Sequence, residues 1–447
     1  MPEAILTDLY QLTMAAGYFA AGKVQEKATF ELFVRQLPPQ RNYLIASGIQ
    51  QAVAYLESFC FSDEEIAYVR GLPQLRHASP DFFDYLRQLR FTGDVFAVAE
   101  GTPIFPGEPI LTVRAPIIEA QIPETYLLSM ISFQTLVATK ASRVVHAAAG
   151  RPVVDFGTRR AHSPQAGALA ARAAYVGGCV GTSNVLAGMR YGIPVFGTAA
   201  HSWTQAFSSE QESFRQLQQL LGEHTVLLID TYDTLRGARL AASIGRPLWG
   251  VRLDSGDLAS LSRQVRAILD QAGLQDVKIM ASGDLNEYKI QQLVAAQAPV
   301  DLFGVGTDLA TSLDAPGLSA VYKLVELRTS AGVRFTAKLS DHKATYGAPK
   351  QVFRFADHDV IGCSWECLSC GETSEALLRP LMLSGKLVDD SVGDLRRAQE
   401  RVRKALAKLP AELLSLEVSS RPWPVNLSQE LLEINRKIRD SHQGEGA

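Results

Sequence analysis

From Gly150 onward, short apolar runs alternate with amphipathic helical segments, and no other pattern in the chain restricts the fold as tightly. The runs are Pro152-Val153-Val154-Asp155-Phe156, Pro194-Val195-Phe196-Gly197, Val226-Leu227-Leu228-Ile229-Asp230, Leu248-Trp249-Gly250-Val251-Arg252, Val277-Lys278-Ile279-Met280 and Leu302-Phe303-Gly304-Val305. Alternating βα units imply a parallel sheet. Most runs end in a polar or glycine-rich tail: Gly157-Thr158-Arg159-Arg160, Gly197-Thr198, Asp230-Thr231, Asp254-Ser255-Gly256-Asp257, Ser282-Gly283-Asp284 and Gly306-Thr307. In a parallel barrel the carboxyl ends of the strands are where ligand sites are built. Counting the short stretch that ends at Gly181-Thr182-Ser183-Asn184, there are about seven βα units, which suits an incomplete barrel better than an eight-stranded one.

The flanks have a different texture. Ser62-Asp63-Glu64-Glu65 is a capping box, and Ser79-Pro80 places a cap and a first-turn proline at another helix start. Gly93 to Pro116 follows as short β-branched stretches broken by Gly and Pro, which is strand-and-turn chemistry. A long helical pattern runs from about Pro123 to Gly150. Beyond Lys323 strand-like pieces return. Asp394 to Leu409 then sets Leu395, Ala398, Val402, Leu406 and Leu409 on one helical face, with arginines and lysines on the other, read as a solvated surface. Ser428 is placed to cap the last helix. The expected class is therefore α/β: an incomplete parallel βα barrel over residues 121–325, and a second, α+β domain built from residues 1–120 and 326–447.

Lys+Arg 44 against Asp+Glu 47 gives a net charge of -3 and argues against nucleic acid as a partner. Anionic ligands must then be held by local arginines and backbone amides. No apolar run approaches the ~20 residues of a membrane helix, and Met1 to Tyr10 lacks the pattern of a signal peptide, so a cytoplasmic location is expected. Five cysteines in 447 residues make no disulfide framework. Cys363, Cys367 and Cys370 lie close together downstream of His358, but their spacing matches no standard zinc pattern, and free thiols in a loop are the simpler reading. No residue set is assigned to a bound metal.

Generic nucleotide motifs are missing: no Gly-rich loop leads to Lys-Ser/Thr, and Gly304-Val305-Gly306-Thr307-Asp308-Leu309 lacks the third glycine of a dinucleotide fingerprint. Gly-x-Gly-Thr after a buried strand would still leave backbone N–H groups and a hydroxyl aimed at one spot, a cradle for a phosphate or else only a tight turn. Arg252-Leu253-Asp254-Ser255-Gly256-Asp257 sets an arginine and two carboxylates at one strand end. The carboxylates suit a ribose hydroxyl pair or waters on magnesium, and the arginine an oxyanion; a capped helix start is the alternative for Asp254 and Ser255. Asp155-Phe156-Gly157-Thr158-Arg159-Arg160 offers an aromatic face beside two cations, suited to a flat anionic ring. A core Phe and two surface arginines would explain it equally well. His201 follows a strand end in Gly197-Thr198-Ala199-Ala200-His201-Ser202-Trp203, and a lone histidine there is more often structural than catalytic.

Together these strings resemble one family. Thr7-Asp8-Leu9-Tyr10-Gln11-Leu12-Thr13-Met14, Asp155 to Ala161, Gly181-Thr182-Ser183-Asn184, Gly197 to Trp203, Asp230-Thr231-Tyr232-Asp233-Thr234, Gly250 to Asp257, Ala281 to Leu285 and Gly304-Val305-Gly306-Thr307 are similar, in that order, to the strings of nicotinate phosphoribosyltransferases. The resemblance spans Thr7 to roughly Arg354 and implies a fold of about seven βα units with a second domain from both chain ends. It implies that nicotinate and 5-phosphoribosyl-1-pyrophosphate give nicotinate mononucleotide and pyrophosphate, with magnesium as cofactor and ATP as co-substrate, an ATP-coupled ligase that begins NAD salvage from nicotinate. His201 would be the residue that ATP phosphorylates. Tyr10 and Phe156 would sandwich the pyridine ring, Tyr10 reaching over from the neighbouring subunit of a homodimer with shared active sites. Gly157, Arg159, Ser183, Thr198 and Arg252 would surround the ring, its carboxylate and the reacting phosphates. Asp254 would face the ribose, Gly283, Gly306 and Thr307 the 5-phosphate, and Asp284 would also belong to the substrate site.

Nicotinamide and quinolinate phosphoribosyltransferases are the nearest rivals. The nicotinamide enzyme carries an aspartate where this chain has Ser183, and such a charge would repel a carboxylate. The quinolinate enzyme uses no phosphohistidine, so His201 in its context speaks against it. An aldolase would need a Schiff-base lysine at a strand end, whereas Lys278 lies inside its run.

Overall fold

The structure, a computed structural model, describes residues 4–340, 343–368, 374–389 and 391–444. It divides into two compact units, one of Met1–Thr135 with Gly317–Ala447 and one of Leu136–Pro316.

The second unit is built on a six-stranded parallel sheet in the order Gly181–Thr182, Val153–Asp155, Leu302–Val305, Lys278–Ala281, Gly250–Leu253, Val226–Leu228. Starting from Val153 the strands run in chain order around the unit, and the last, Leu302–Val305, lies back beside the first through Phe303 opposite Val153. That circular order is the order of a barrel. Pro194–Gly197 does not form the expected strand and contributes one bridge, Val195 to Thr182. Pro194 has no N–H to donate, so the segment can supply only its carbonyl to Thr182 N at 3.1 Å and the Phe196 amide to Thr182 O at 2.9 Å. Among the described residues no pairing joins it to Val226–Leu228, and the barrel stays open there.

Alternation along the strands separates the two sides of this sheet. Leu227, Val251, Leu253 and Ile279 pack against Phe214, Leu217, Ala238, Ala241, Val265 and Leu269 of the flanking helices. Burying each larger side chain among these contributes on the order of 1.5–3 kcal/mol. The alternate residues Val154, Met280 and Leu302 cluster with Phe156. Arg252, between Val251 and Leu253, is therefore turned away from the helices. The helices start on side-chain caps: Ser163, Ser209, Asp233, Asp257 and Asn286 each accept a backbone N–H in the first turn.

The other unit holds a seven-stranded sheet that mixes both ends of the chain, in the order Gly332–Phe335, Ala320–Thr329, Lys27–Val34, Pro109–Pro116, Asp94–Ala97, Arg379–Leu383, Lys386–Leu387. Inside it the Lys350 ammonium meets the Glu31 carboxylate at 2.8 Å, a buried pair from chain segments far apart. The capping box forms, with Glu65 N donating to Ser62 Oγ at 3.2 Å and Ser62 N to Glu65 Oε2 at 2.6 Å. Ser79 caps the helix Pro80–Gln88. The basic helix runs Leu395–Leu406, capped by Asp394, and buries Leu395, Ala398 and Val402; Leu406 closes it before Leu409 is reached. Leu431 N donates to Ser428 Oγ at 3.1 Å at the head of the last helix, Gln429–Gly444. No helix among the described residues is long and apolar enough to cross a membrane.

Candidate active site

Twelve of the residues singled out above fall in the barrel unit, at or just beyond the carboxyl ends of its strands, while Tyr10 belongs to the other unit. Arg252 is the hub of the barrel site. Its Nε donates to Ser282 Oγ at 2.8 Å, Nη1 to Thr198 Oγ1 at 2.9 Å and Nη2 to Asp254 Oδ1 at 2.6 Å. These bonds use three of a guanidinium's five N–H groups, so the fork is oriented and still has donors to offer. Its carbon lies 5.4 Å from the centre of the Phe156 ring. A fixed cation therefore stands beside an aromatic face.

Asp254 is held as firmly. Ser282 Oγ donates to its Oδ1 at 2.6 Å, and its own N–H donates to Asp230 Oδ2 at 3.0 Å. Burial alone would raise its pKa, but the Ser282 hydroxyl, the Arg252 guanidinium and His201 together lower it below the ordinary carboxylate value. Asp254 is thus ionised at neutral pH. Because the folded value is depressed, its contribution to stability is present above the unfolded carboxylate pKa and is lost as pH falls through the folded one. The alternative role of Asp254 as a helix cap is not realised, since Asp257 caps the helix Leu258–Gln271 through Ala259 N at 3.1 Å and Ser260 N at 3.2 Å.

His201 opens the short helix His201–Gln205. Its Nδ1 lies 3.1 Å from Thr231 Oγ1 and its Nε2 3.9 Å from Asp254 Oδ2. With Nδ1–H donating to Thr231, the ring lone pair would sit on Nε2, facing the carboxylate side of the site.

Close backbone approach explains two glycines. Gly283 has φ +92°, and a Cβ there would lie 1.9 Å from the carbonyl oxygen of Asp254. At Gly304 a Cβ would meet the Phe156 ring at 2.6 Å, so the bare strand is what lets the ring lie against it. Asp284 takes φ 48°, and its carbonyl accepts Lys289 Nζ at 2.7 Å. Gly306 precedes the turn of helix Thr307–Thr311 and accepts Ala310 N at 3.1 Å. Ser183 N donates to Asp155 O at 2.8 Å. Gly157 N donates to Asp155 Oδ1 at 2.8 Å, holding the turn after Phe156. Arg159 sits in the turn Thr158–Arg160, exposed, with no hydrogen bond or ion pair among the described residues.

Three residues not singled out from the sequence matter here. Asp155 is buried and takes the Thr182 hydroxyl at 2.7 Å as well as Gly157 N. Ser282 bridges Arg252 and Asp254. Asp230 accepts Ser255 Oγ at 2.6 Å on Oδ2, while its buried Oδ1 has no partner among the described residues. Asp230 and Ser282 stand in polar strand tails and Asp155 near the end of its apolar run, and those positions were the available signal.

In the other unit, Tyr10 lies in the first turn of helix Leu9–Ala20 and is 48% exposed. Partial burial first, then the Glu124 and Asp8 carboxylates, push its phenol up to about 12, so it is a neutral ring at working pH. Cys363 is buried, its thiol pushed up to about 12 by burial and Glu366, and Cys367 is exposed. Cys370 lies outside the described residues, among which no group of three or more His, Cys, Asp or Glu is placed to hold a metal ion.

A family model described as the nicotinate phosphoribosyltransferase N-terminal domain matches residues 5–132, and the model of the nicotinate phosphoribosyltransferase family matches residues 152–334. The chain belongs to the nicotinate phosphoribosyltransferase family. A nicotinate phosphoribosyltransferase of Mycobacterium tuberculosis is 44% identical over 457 residues, covering 99% of this chain and 95% of the relative. That of Bacillus subtilis is 44% identical over 357 residues, covering 78% of this chain and 72% of the relative. The crystal structure of human nicotinic acid phosphoribosyltransferase superposes with a TM-score of 0.85 at 27% identity, covering 97% of this chain and 100% of that one. The α/β architecture of this nicotinate phosphoribosyltransferase family member is thus shared over nearly the whole chain.

Proposed function

We propose that the chain joins nicotinate to 5-phosphoribosyl-1-pyrophosphate, giving nicotinate mononucleotide and pyrophosphate as the entry to NAD salvage, and that ATP hydrolysis is coupled through His201. The observation that carries the reading is the Arg252 fork, tied to Thr198, Ser282 and Asp254 and set 5.4 Å from the Phe156 ring at the strand ends. A flat anionic ring is matched by a ring face and a cation with donors to spare. The ring nitrogen has a lone pair and no proton to lose, so no general base is needed. It forms the bond to the anomeric carbon as the carbon–oxygen bond to pyrophosphate breaks and pyrophosphate leaves with the electron pair. The protein's part is to orient the ring and steady the charge.

Arg252, Thr198 and Arg159 hold the nicotinate carboxylate and the reacting phosphates. Asp254 takes ribose hydroxyls, and the turns at Gly283-Asp284 and Gly306-Thr307 receive the 5-phosphate. The chemistry of Asp230 and Asp254 fits magnesium: both are hard oxygen donors, and Asp230 Oδ1 is buried without a partner among the described residues. The two carboxylates would hold the ion through water, and when bound it neutralises the pyrophosphate oxygens. His201 Nε2 attacks the terminal phosphorus of ATP, and ADP leaves with the electron pair of the broken P–O bond. The phosphohistidine is later hydrolysed.

Ser183→Asp should move preference from nicotinate towards nicotinamide, because it sets a negative charge beside the ring substituent. Disturbing a charge-assisted contact costs about 1.5–3 kcal/mol, so kcat/KM for nicotinate should fall by roughly ten- to a hundredfold while nicotinamide gains. Unchanged selectivity in a folded variant contradicts the placement of Ser183.

The site is completed across a homodimer by Tyr10. Tyr10→Ala and Phe156→Ala chains should each be inactive alone. After verified subunit exchange, mixtures should regain part of the activity in hybrid sites that carry both rings. Exchange without recovery contradicts the shared site.

A further inference from the structure

A cavity of about 980 Å³ opens beside the basic helix Leu395–Leu406, lined wholly by residues of the unit that also holds Tyr10. Six cations face it: Arg354, Arg379, Arg397, Arg401, Lys404 and Lys408. Among the described residues the lining carboxylates are Glu375 and Glu400. Four of the cations are engaged, Arg354 with Asp359 at 2.6 Å, Arg379 with Glu375 at 3.1 Å, Arg397 with Asp394 at 3.1 Å and Lys404 with Glu400 at 2.8 Å. Arg401 and Lys408 have no carboxylate at ion-pair distance among the described residues. Arg401 gives one N–H to the carbonyl of Glu100. It is more than half buried, and burial and the neighbouring Arg379 cation both disfavour its charge.

A second observation is independent of these charges. Trp423, in the cavity wall, is 7% exposed and stacks on Phe105 with centroids 5.5 Å apart, yet its indole N–H is buried with no hydrogen-bond partner among the described residues. The stacked pair gives the cavity a rigid aromatic wall, while the N–H itself is sealed from the cavity's solvent. The groups left over at this cavity, the Arg401 guanidinium and the Lys408 ammonium, are cationic donors, so the matching ligand is rich in acceptors and negative. The volume is that of a small-molecule site.

We infer that this cavity binds a small anion carrying at least two phosphate groups, held by Arg401 and Lys408. The basic face of the helix is then a binding surface where the sequence pattern alone reads as solvated. Nothing in the inference depends on which reaction the barrel unit catalyses.

Inorganic tripolyphosphate is the probe, and calorimetric titration of the full-length protein at fixed ionic strength is the measurement. Wild type should bind it. Lys408→Glu changes an exposed residue and should weaken binding at least about tenfold, leaving the rate of nicotinate transfer without tripolyphosphate unchanged. Arg401→Gln removes the guanidinium and keeps a side chain of similar reach, and should weaken binding at least about tenfold. No binding by wild type, or undiminished binding by either variant with its thermal transition retained, overturns the inference. Binding of tripolyphosphate at the barrel site alone would show itself as the latter result.

Discussion

Replacing Arg252 with alanine should lower kcat/KM for nicotinate by about a hundred- to a thousandfold. Removing one preorganised donor to a developing charge costs about 2.7–4 kcal/mol of transition-state stabilisation, and the carboxylate paired with that donor is left as an uncompensated charge. Here that charge is Asp254, which would keep only the Ser282 hydroxyl on the same oxygen and a distant His201. Thr198 would lose the N–H that fixes its hydroxyl at 2.9 Å. The variant therefore loses the ring's cation and the orientation of two further groups at once. Arg252→Lys separates these effects: it restores charge without the fork, and should recover binding of nicotinate more than turnover. Steady-state kinetics with both variants, alongside their denaturation midpoints, makes the comparison. A folded Arg252→Ala within tenfold of wild type would mean that the hub has no part in catalysis.

The second large effect concerns ATP. His201→Ala should keep slow nicotinate transfer and abolish stimulation by ATP, since on the proposed mechanism the imidazole stores a phosphoryl group and is not the nucleophile at the anomeric carbon. The ring position proposed for Phe156 and Arg252 and the sugar position proposed for Asp254 do not depend on the imidazole, which approaches Asp254 only to 3.9 Å. Wild type incubated with ATP labelled at its terminal phosphate should carry an acid-labile, base-stable adduct that the variant lacks. A variant still stimulated by ATP, or a wild type that never takes label, would remove His201 from this role.

Much of the barrel is legible in the sequence because its strands are short apolar runs whose hydrophobicity and polar tails coincide with the chain's topology. Val226–Leu228, Gly250–Leu253, Lys278–Ala281 and Leu302–Val305 lie inside or within one residue of the runs that announce them. Pro194–Gly197 is the exception: Pro194 has no N–H to add to a ladder, and among the described residues the segment bridges a neighbouring strand only once, at Val195 to Thr182. The helix caps at Ser62, Ser79 and Ser428 are legible because capping is a matter of a few consecutive residues.

The site is legible only in part, for the opposite reason. Arg252 reaches Ser282 and Thr198, which lie 30 and 54 positions away in the chain, so no spacing rule reveals that the three form one unit. Asp230 and Ser282 stand in tails visible from the start, but only the fold shows that they support Asp254. Tyr10 has no pattern of its own, and only family resemblance draws attention to it. The amphipathic pattern of Leu395–Leu406 predicts its buried face correctly, but not that Arg401 on the other side turns into a cavity, since period alone does not report what stands opposite a helix.

The central claim is tested most directly by measuring pyrophosphate released from 5-phosphoribosyl-1-pyrophosphate with magnesium and, separately, nicotinate, nicotinamide or quinolinate, each with and without ATP. Release with nicotinate, well above either of the other two bases and increased by ATP, is the predicted result. Release that follows nicotinamide or quinolinate instead, or that never responds to ATP, would contradict it.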